Sequence, residues 1–211
     1  MKRILCFAIA FVCVTLTFAQ TGLEIVNNMN RMMSDRKSEG LCVTIDVKIP
    51  IVGTVVTRTY SNGSKTRLDI ESSKINLITF MEDSTQWSYN AENNVVIITN
   101  LKIGGSPSET QGMDVSMFDD ITEGYDISVK SQNAVKWELV CKKKRSNKDD
   151  DAPKTINLEV RKGTFEPISM STKMMGINCT MHHFIFGVTE NKVTFNPDDF
   201  PGVNIVDQRQ K

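Results

Sequence analysis

Only two histidines occur among the 211 residues of this chain, His182 and His183, and they are adjacent. They lie in a run that alternates like a β-strand, so we expect their side chains on opposite faces, where they cannot share a metal ion. The sequence has no Gly-x-Ser-x-Gly nucleophile turn, no metalloprotease His-Glu pair and no phosphate-binding glycine loop. We therefore predict that the chain is not an enzyme and has neither a metal site nor a cofactor.

Three cysteines follow the first nineteen residues: Cys42, Cys141 and Cys179. Each lies within a strand-like run, and no Cys-x-x-Cys or histidine spacing accompanies them, which argues against zinc. An odd number permits one disulfide with one free thiol, or no disulfide. Because free cysteine commonly behaves as a small buried apolar residue, we interpret all three as structural thiols.

Methionine is unusually frequent in the sequence, with ten methionines after Met1. Unbranched thioether side chains adapt to partners of irregular shape, which suits a site for flexible acyl chains, although they also suit an ordinary core. Those on predicted helices and late strands are Met29, Met32, Met33, Met113, Met117, Met170, Met174, Met175 and Met181.

The first nineteen residues have the pattern of an export signal. Lys2 and Arg3 precede an uncharged apolar run that ends at Phe18, and Ala19 stands before Gln20 as the small residue of a cleavage site. The run has about 15 residues, fewer than the roughly 20 that span a bilayer. We expect residues 1–19 to be a signal peptide and residues 20–211 to form one periplasmic domain.

The charge balance gives no sign of a nucleic-acid partner. The chain has 25 basic and 25 acidic residues, and without Lys2 and Arg3 the remainder has 23 basic and 25 acidic. No basic stripe is present, so we exclude nucleic acid as a partner.

The elements that must position these residues are an amphipathic helix followed by many strands. Apolar residues from Leu23 to Met33 recur at intervals of three and four, which predicts a helix ending near Gly40. Apolar and polar residues then alternate, with Asn62-Gly63 as a hairpin turn, and a second helix is predicted over residues 113–121. The charged run 142–151 predicts an exposed loop. The predicted strands are 41–49, 54–60, 65–70, 74–80, 86–89, 93–101, 125–129, 135–142, 154–161, 167–174, 178–188 and 193–195.

Two stretches resemble a known family. The residues from Asn191 to Arg209 read NKVTFNPDDFPGVNIVDQR, and those from Asp83 to Asn90 read DSTQWSYN. The first resembles the ending of the periplasmic outer-membrane lipoprotein carrier family (LolA-like), with its Phe-x-x-Pro, Gly-Val-x-Val and Asp-x-Arg in that order. The second resembles the family's turn followed by Trp-x-Tyr-Asn.

The resemblance implies an α+β, β-dominated fold, namely an incomplete, curved antiparallel β-barrel of about eleven strands with helices covering its mouth. It also implies that the partners are acylated lipoproteins or lipid, an inner-membrane release complex and an outer-membrane acceptor, without a cofactor. We expect a monomer. The family's arginine after the second strand is not matched here, since Arg58 and Arg67 only flank the corresponding turn.

The first strand and the two methionine-bearing helices are expected to enclose an apolar groove for lipid. Strand parity places Val43, Ile45 and Val47 on one face, and places Trp87 and Tyr89 together on one face of their own strand. The predicted lipid-binding residues are Met29, Met33, Val43, Ile45, Val47, Trp87, Tyr89, Met117 and Phe118.

Two functions fit these features. The first is a soluble periplasmic carrier that sequesters acyl chains of lipoproteins or another lipid and delivers them towards the outer membrane. The alternative is an envelope sensor or binding module on the same scaffold that detects lipidated proteins without transporting them.

We predict that the mature protein begins at Gln20, because the segment before it has the charge, apolar run and small residues that signal peptidase requires. Intact-mass measurement of the exported protein tests this prediction. A mature mass that still includes residues 1–19 would contradict it.

Overall fold

The structure, a computed structural model, describes residues 20–51, 53–101 and 119–209. The predicted signal peptide and most of the predicted second helix, including Met117 and Phe118, lie outside the described residues. Among the residues that are described, no helix is long and apolar enough to cross a membrane.

The predicted N-terminal helix is confirmed as α1, Gly22–Asp35. Thr21 caps it reciprocally with Glu24: the Thr21 hydroxyl oxygen accepts from the Glu24 backbone N–H at 3.2 Å, and the Thr21 N–H donates to the Glu24 carboxylate at 2.9 Å. This capping box satisfies two backbone donors that the first turn leaves free. The buried side of α1 carries Ile25, Val26, Met29 and Met33.

Twelve strands account for most of the described chain, where the resemblance implied about eleven. They are β1 Leu41–Ile49, β2 Gly53–Asn62, β3 Lys65–Glu71, β4 Asn76–Glu82, β5 Thr85–Asn90, β6 Val95–Asn100, β7 Tyr125–Gln132, β8 Lys136–Lys143, β9 Thr155–Arg161, β10 Pro167–Met174, β11 Ile177–Phe186 and β12 Asn204–Asp207. The described residues also form two short helices, α2 Asp119–Gly124 and α3 Glu190–Val193, and 3₁₀ turns at Lys37–Glu39 and Pro197–Asp199.

All twelve strands form one open sheet in the order β12-β6-β5-β4-β3-β2-β1-β11-β10-β9-β8-β7. Pairing is antiparallel throughout except between β12 and β6. The β1–β11 pair joins two meanders, β1 to β6 and β7 to β11. The sheet is consistent with the incomplete, curved barrel that the resemblance implied.

The chain after β11 differs from the prediction. The prediction of a short strand at 193–195 is wrong, because α3 extends to Val193 and no strand follows it at residues 194 and 195. Val193 is fully buried beside Cys42 and Val188, and the Lys65 ammonium contacts the Glu190 carboxylate at 2.7 Å. These tertiary contacts outweigh the short alternating pattern. The strand that was not predicted is β12, which is held against β6 by backbone bonds such as Gln208 N–H to Ile98 O at 2.8 Å.

The two faces of the sheet have different coverings. One, the α1 face, carries Leu41 and Val43, which share a buried core with α1. That core extends over β8 to β10 and includes Trp137, Leu139, Cys141, Ile156, Leu158, Val160 and Met170. The opposite face, the C-terminal face, carries Tyr60, which packs beside the buried α3 residue Val193.

An aromatic cluster attaches the C-terminal segment to its face of the sheet. Phe195 stacks on Trp87 with ring centroids 5.8 Å apart, and Phe200 contacts Tyr89 at 4.5 Å. Phe80, which is buried, meets both phenylalanines edge-on at 5.7 and 6.1 Å. Offset and edge-to-face ring pairs add stability beyond the apolar area that they bury.

We predict that Phe200→Ala lowers the free energy of unfolding by about 2 kcal/mol, because it removes a half-buried ring and its contacts with Tyr89 and Phe80. Urea unfolding followed by tryptophan fluorescence measures this change. Ile185→Ala, at an exposed residue of the same face, serves as the control and should change stability by less than about 0.5 kcal/mol. A Phe200→Ala protein as stable as the Ile185→Ala control would contradict the prediction.

Candidate functional site

The predicted groove residues on β1 share the α1 face, as strand parity indicated, but they differ in burial. Val43 is buried with Met29 and Met33 in the core between α1 and the sheet, where both methionines have no exposed surface. Ile45 and Val47 are half-buried. The structure therefore brings Met29, Met33 and Val43 together as packed core, and lipid contact by these residues stays a prediction.

Beyond β1, the α1 face continues across β2 to β6 as a sheet surface with partly exposed apolar side chains. On this face, the pairing of neighbouring strands from β1 to β6 places six residues in one line: Val43, Thr59, Leu68, Thr79, Ser88 and Ile97. A second line runs from Ile45 through Thr57 to Ile70 and Leu77. We call the residues Ile45, Leu68, Ile70, Leu77 and Ile97 the apolar strip. Ile97 is 37% exposed and the other four are half-buried.

Charge is sorted strictly between the two faces of β1 to β6. The α1 face of these six strands carries no charged residue, by the pairing registers of the described strands. The eight charged residues in these strands all lie on the C-terminal face: Asp46, Lys48, Arg58, Lys65, Arg67, Asp69, Glu71 and Glu82. An uncharged face avoids the large cost of placing an unpaired charge beside an apolar ligand.

Trp87 and Tyr89 share one face of β5, as predicted, but the face is not that of Val43. Trp87 pairs with Phe80, which pairs with Arg67 and then Tyr60, so both aromatic residues lie on the C-terminal face. There they contact Phe195 and Phe200. The structure thus does not bring them together with the β1 residues. Parity within one strand was readable from the sequence, whereas parity between strands depends on the registers of four hairpins.

Arg58 and Arg67 also face away from the apolar strip. The Arg58 guanidinium contacts the Glu71 carboxylate at 3.1 Å, and Arg67 contacts Asp69 at 2.6 Å. Both pairs lie on the C-terminal face, so these arginines stabilise that face.

The prediction that the two histidines point to opposite faces is wrong. The β1–β11 register shifts between Cys42 and Thr44, and His183 has a φ of 53°, so β11 bulges at this point. A bulge adds one extra residue to a strand, so two successive side chains can lie on the same face. As a result the two Nδ1 atoms lie 2.9 Å apart, and His182 Nε2 contacts the Asp46 carboxylate at 3.2 Å. Even so, no group of three or more metal-ligating residues occurs within the described ranges.

The interpretation of the cysteines as structural thiols is supported by their surroundings. Cys42, Cys141 and Cys179 are all free, and Cys141 has no exposed surface. Burial raises the pKa of the Cys141 thiol to about 11, and it also raises the pKa of Cys42 and of Cys179. A raised pKa keeps the thiol protonated at neutral pH, which disfavours both metal binding and nucleophilic chemistry.

Comparisons with known proteins identify the fold. No family model matches the sequence, and no curated protein matches it. The solved structure of LprF from Mycobacterium bovis is similar, with 9% identity, a TM-score of 0.53, and coverage of 82% of this chain and 97% of that one. Lipoprotein LppX from Mycobacterium tuberculosis has 11% identity and a TM-score of 0.50, covering 81% of this chain and 98% of LppX.

A LolA superfamily protein, NE2245 from Nitrosomonas europaea, is 11% identical, with a TM-score of 0.35 over 85% of this chain and 100% of that one. At these identities the likeness concerns the fold. The open twelve-stranded sheet, with α1 on one face and the C-terminal segment on the other, therefore has the fold seen in LprF and LppX, and it agrees with the incomplete, curved sheet that the resemblance implied.

Proposed function

We propose that this chain is an exported periplasmic carrier that sequesters the acyl chains of lipoproteins, or of another lipid, and delivers them towards the outer membrane. The observation that carries the proposal is the uncharged α1 face of β1 to β6, on which the apolar strip lies. The proposal invokes no catalytic step and no cofactor.

The physical reason is the cost of exposing an acyl chain to water. Each buried methylene contributes about 0.8 kcal/mol, so a chain of a dozen carbons requires a long apolar contact surface. The apolar strip spans six neighbouring strands, and strands in a sheet lie about 4.8 Å apart, which gives a contact length of roughly 24 Å. That length accommodates an extended acyl chain of more than a dozen carbons.

The packing of the core limits where the lipid would bind. Met29, Met33 and Val43 are fully or almost fully buried among protein side chains, so this part of the sheet has its own covering. The part from Ile45 to Ile97 is the part with accessible apolar side chains. We therefore place the acyl chain along the apolar strip, with α1 as a fixed wall at its β1 end.

The alternative is a binding module that detects lipidated proteins without transporting them. It would use the same apolar strip, so binding alone does not separate the two functions. A carrier must release its cargo to an acceptor, whereas a sensor retains it and changes the state of a protein partner. Transfer of a labelled lipoprotein from the purified complex to outer-membrane vesicles is expected for the carrier, and its absence would favour the sensor.

We predict that Leu68→Glu weakens acyl-chain binding at least tenfold, because a carboxylate at the centre of the strip would be buried unpaired against the lipid. Native mass spectrometry of protein purified from the periplasm, followed by titration with a fluorescent fatty acid, measures the change. Ile97→Glu is a second variant that folds more readily, since Ile97 is already 37% exposed.

The matched control is Ile185→Glu, which places the same charge on the C-terminal face at a residue that is 58% exposed. Circular dichroism must first show that all three proteins are folded. Folded Leu68→Glu and Ile97→Glu proteins that bind the fatty acid as the control does would refute the assignment of the strip.

A further inference from the structure

Three neighbouring turns at one end of the sheet carry large apolar side chains that point into solvent. Ile51 lies between β1 and β2, Met175 between β10 and β11, and Ile75 before β4, and they are fully exposed, 93% exposed and 51% exposed, respectively. The strand order β4-β3-β2-β1-β11-β10 makes these turns neighbours, and the pairing of Lys48 with both Thr54 and Asn178 places two of them side by side. We call Ile51, Ile75 and Met175 the apolar tips.

Two of the apolar tips have backbone conformations that their residue types rarely adopt. Ile51 has a φ of 72° and Met175 a φ of 47°, both in the left-handed region. Glycine and asparagine adopt this region readily, whereas a β-branched isoleucine rarely does. Packing within the chain does not explain these residues, because both side chains are exposed. Strained exposed residues of this kind point to a role outside the fold.

Each apolar tip has an exposed lysine close to it in the sequence. Lys48 precedes Ile51, Lys74 precedes Ile75, and Lys173 precedes Met175. Residues 48–53, 72–76 and 173–178 contain no acidic residue. Acidic side chains near this end include Glu71 and Asp46, which contact Arg58 at 3.1 Å and His182 at 3.2 Å, respectively. Glu92 lies in the β5–β6 turn, and Asp150 and Asp151 line one cavity together with Lys173 and Met175.

We propose that this end of the sheet docks on the surface of an anionic lipid bilayer. The apolar tips enter the boundary between headgroups and acyl chains, while Lys48, Lys74 and Lys173 contact anionic headgroups. Insertion of a small apolar side chain and attraction of a basic residue to anionic headgroups each contribute little to membrane binding. Together they give reversible binding. This surface is formed by the turns at the strand ends and shares no residue with the apolar strip, so the proposal does not depend on lipid binding by the strip.

The opposite end of the sheet provides an internal comparison. Its turns include the polar segments 62–64 and 83–84. Val135, in the β7–β8 turn, is the matched residue there, since it is apolar, 57% exposed and at a hairpin turn. A substitution at Val135 therefore changes exposed apolar area without touching the apolar tips.

The test is cosedimentation of the whole exported chain with vesicles of phosphatidylethanolamine and phosphatidylglycerol at 3:1, and with vesicles of phosphatidylcholine alone. We expect binding to the anionic vesicles that weakens at raised salt. The double variant Ile51→Asn with Met175→Asn should bind at least tenfold more weakly. Because asparagine tolerates a positive φ, its melting temperature should not fall below that of the native protein.

Val135→Asn should bind the anionic vesicles as the native protein does. Replacing Lys48, Lys74 and Lys173 by glutamine should weaken binding about fivefold for each lysine. The double variant Ile51→Asn with Met175→Asn should bind a fluorescent fatty acid as the native protein does, which distinguishes failure of this proposal from failure of the acyl-chain site.

Unchanged binding by the folded Asn double variant would overturn the proposal. Equal binding of the native protein to both kinds of vesicle would also overturn it, as would no binding to either, which would leave a protein as the partner of this end.

Discussion

The alternation of side chains along β1 to β6 is the constraint on which the rest of the structure depends. Eight charged residues in these strands fall on one face, and none falls on the other. A slip of one residue in any hairpin would move charges onto the α1 face and apolar residues onto the other. The registers therefore determine both the stability of the sheet and the uncharged face on which the proposed lipid site lies.

The two faces solve different physical problems. The charged face pairs its own residues, as in Arg67 with Asp69 and Lys65 with Glu82, and is further covered by Phe195, Phe200 and Val193 from the C-terminal segment. The uncharged face needs no ion pairs. Over β8 to β10 the α1 face is covered by α1, and over β2 to β6 its apolar side chains stay partly accessible. One sheet thus supplies both a packed core and an uncharged, partly accessible apolar surface.

Several residues that attract attention in the sequence serve the fold. Trp87 and Tyr89 contact the C-terminal segment, and Met29 and Met33 fill the core. The three cysteines are free thiols whose pKa values are raised by burial. By contrast, four residues of the apolar strip were not among the predicted site residues: Leu68, Ile70, Leu77 and Ile97. They are ordinary aliphatic side chains, and no sequence motif identifies them. What distinguishes them is the face of the sheet that they share.

The sequence by itself determined the elements whose signals are local. The periodicity of α1, the alternation of β1 and the Asn62-Gly63 turn each depend on neighbouring residues, and the structure has them at nearly the predicted positions. The incomplete, curved antiparallel sheet was also foreseen, from the family resemblance of short motifs at Trp87 and at the C-terminus. What only the tertiary structure decided depends on distant partners. The bulge at His183 arises where β11 pairs with β1, α3 replaces a strand because Val193 is buried against Cys42, and β12 exists because β6 offers an edge. The separation of Trp87 from Val43 likewise follows from four successive registers, and no single strand contains that information.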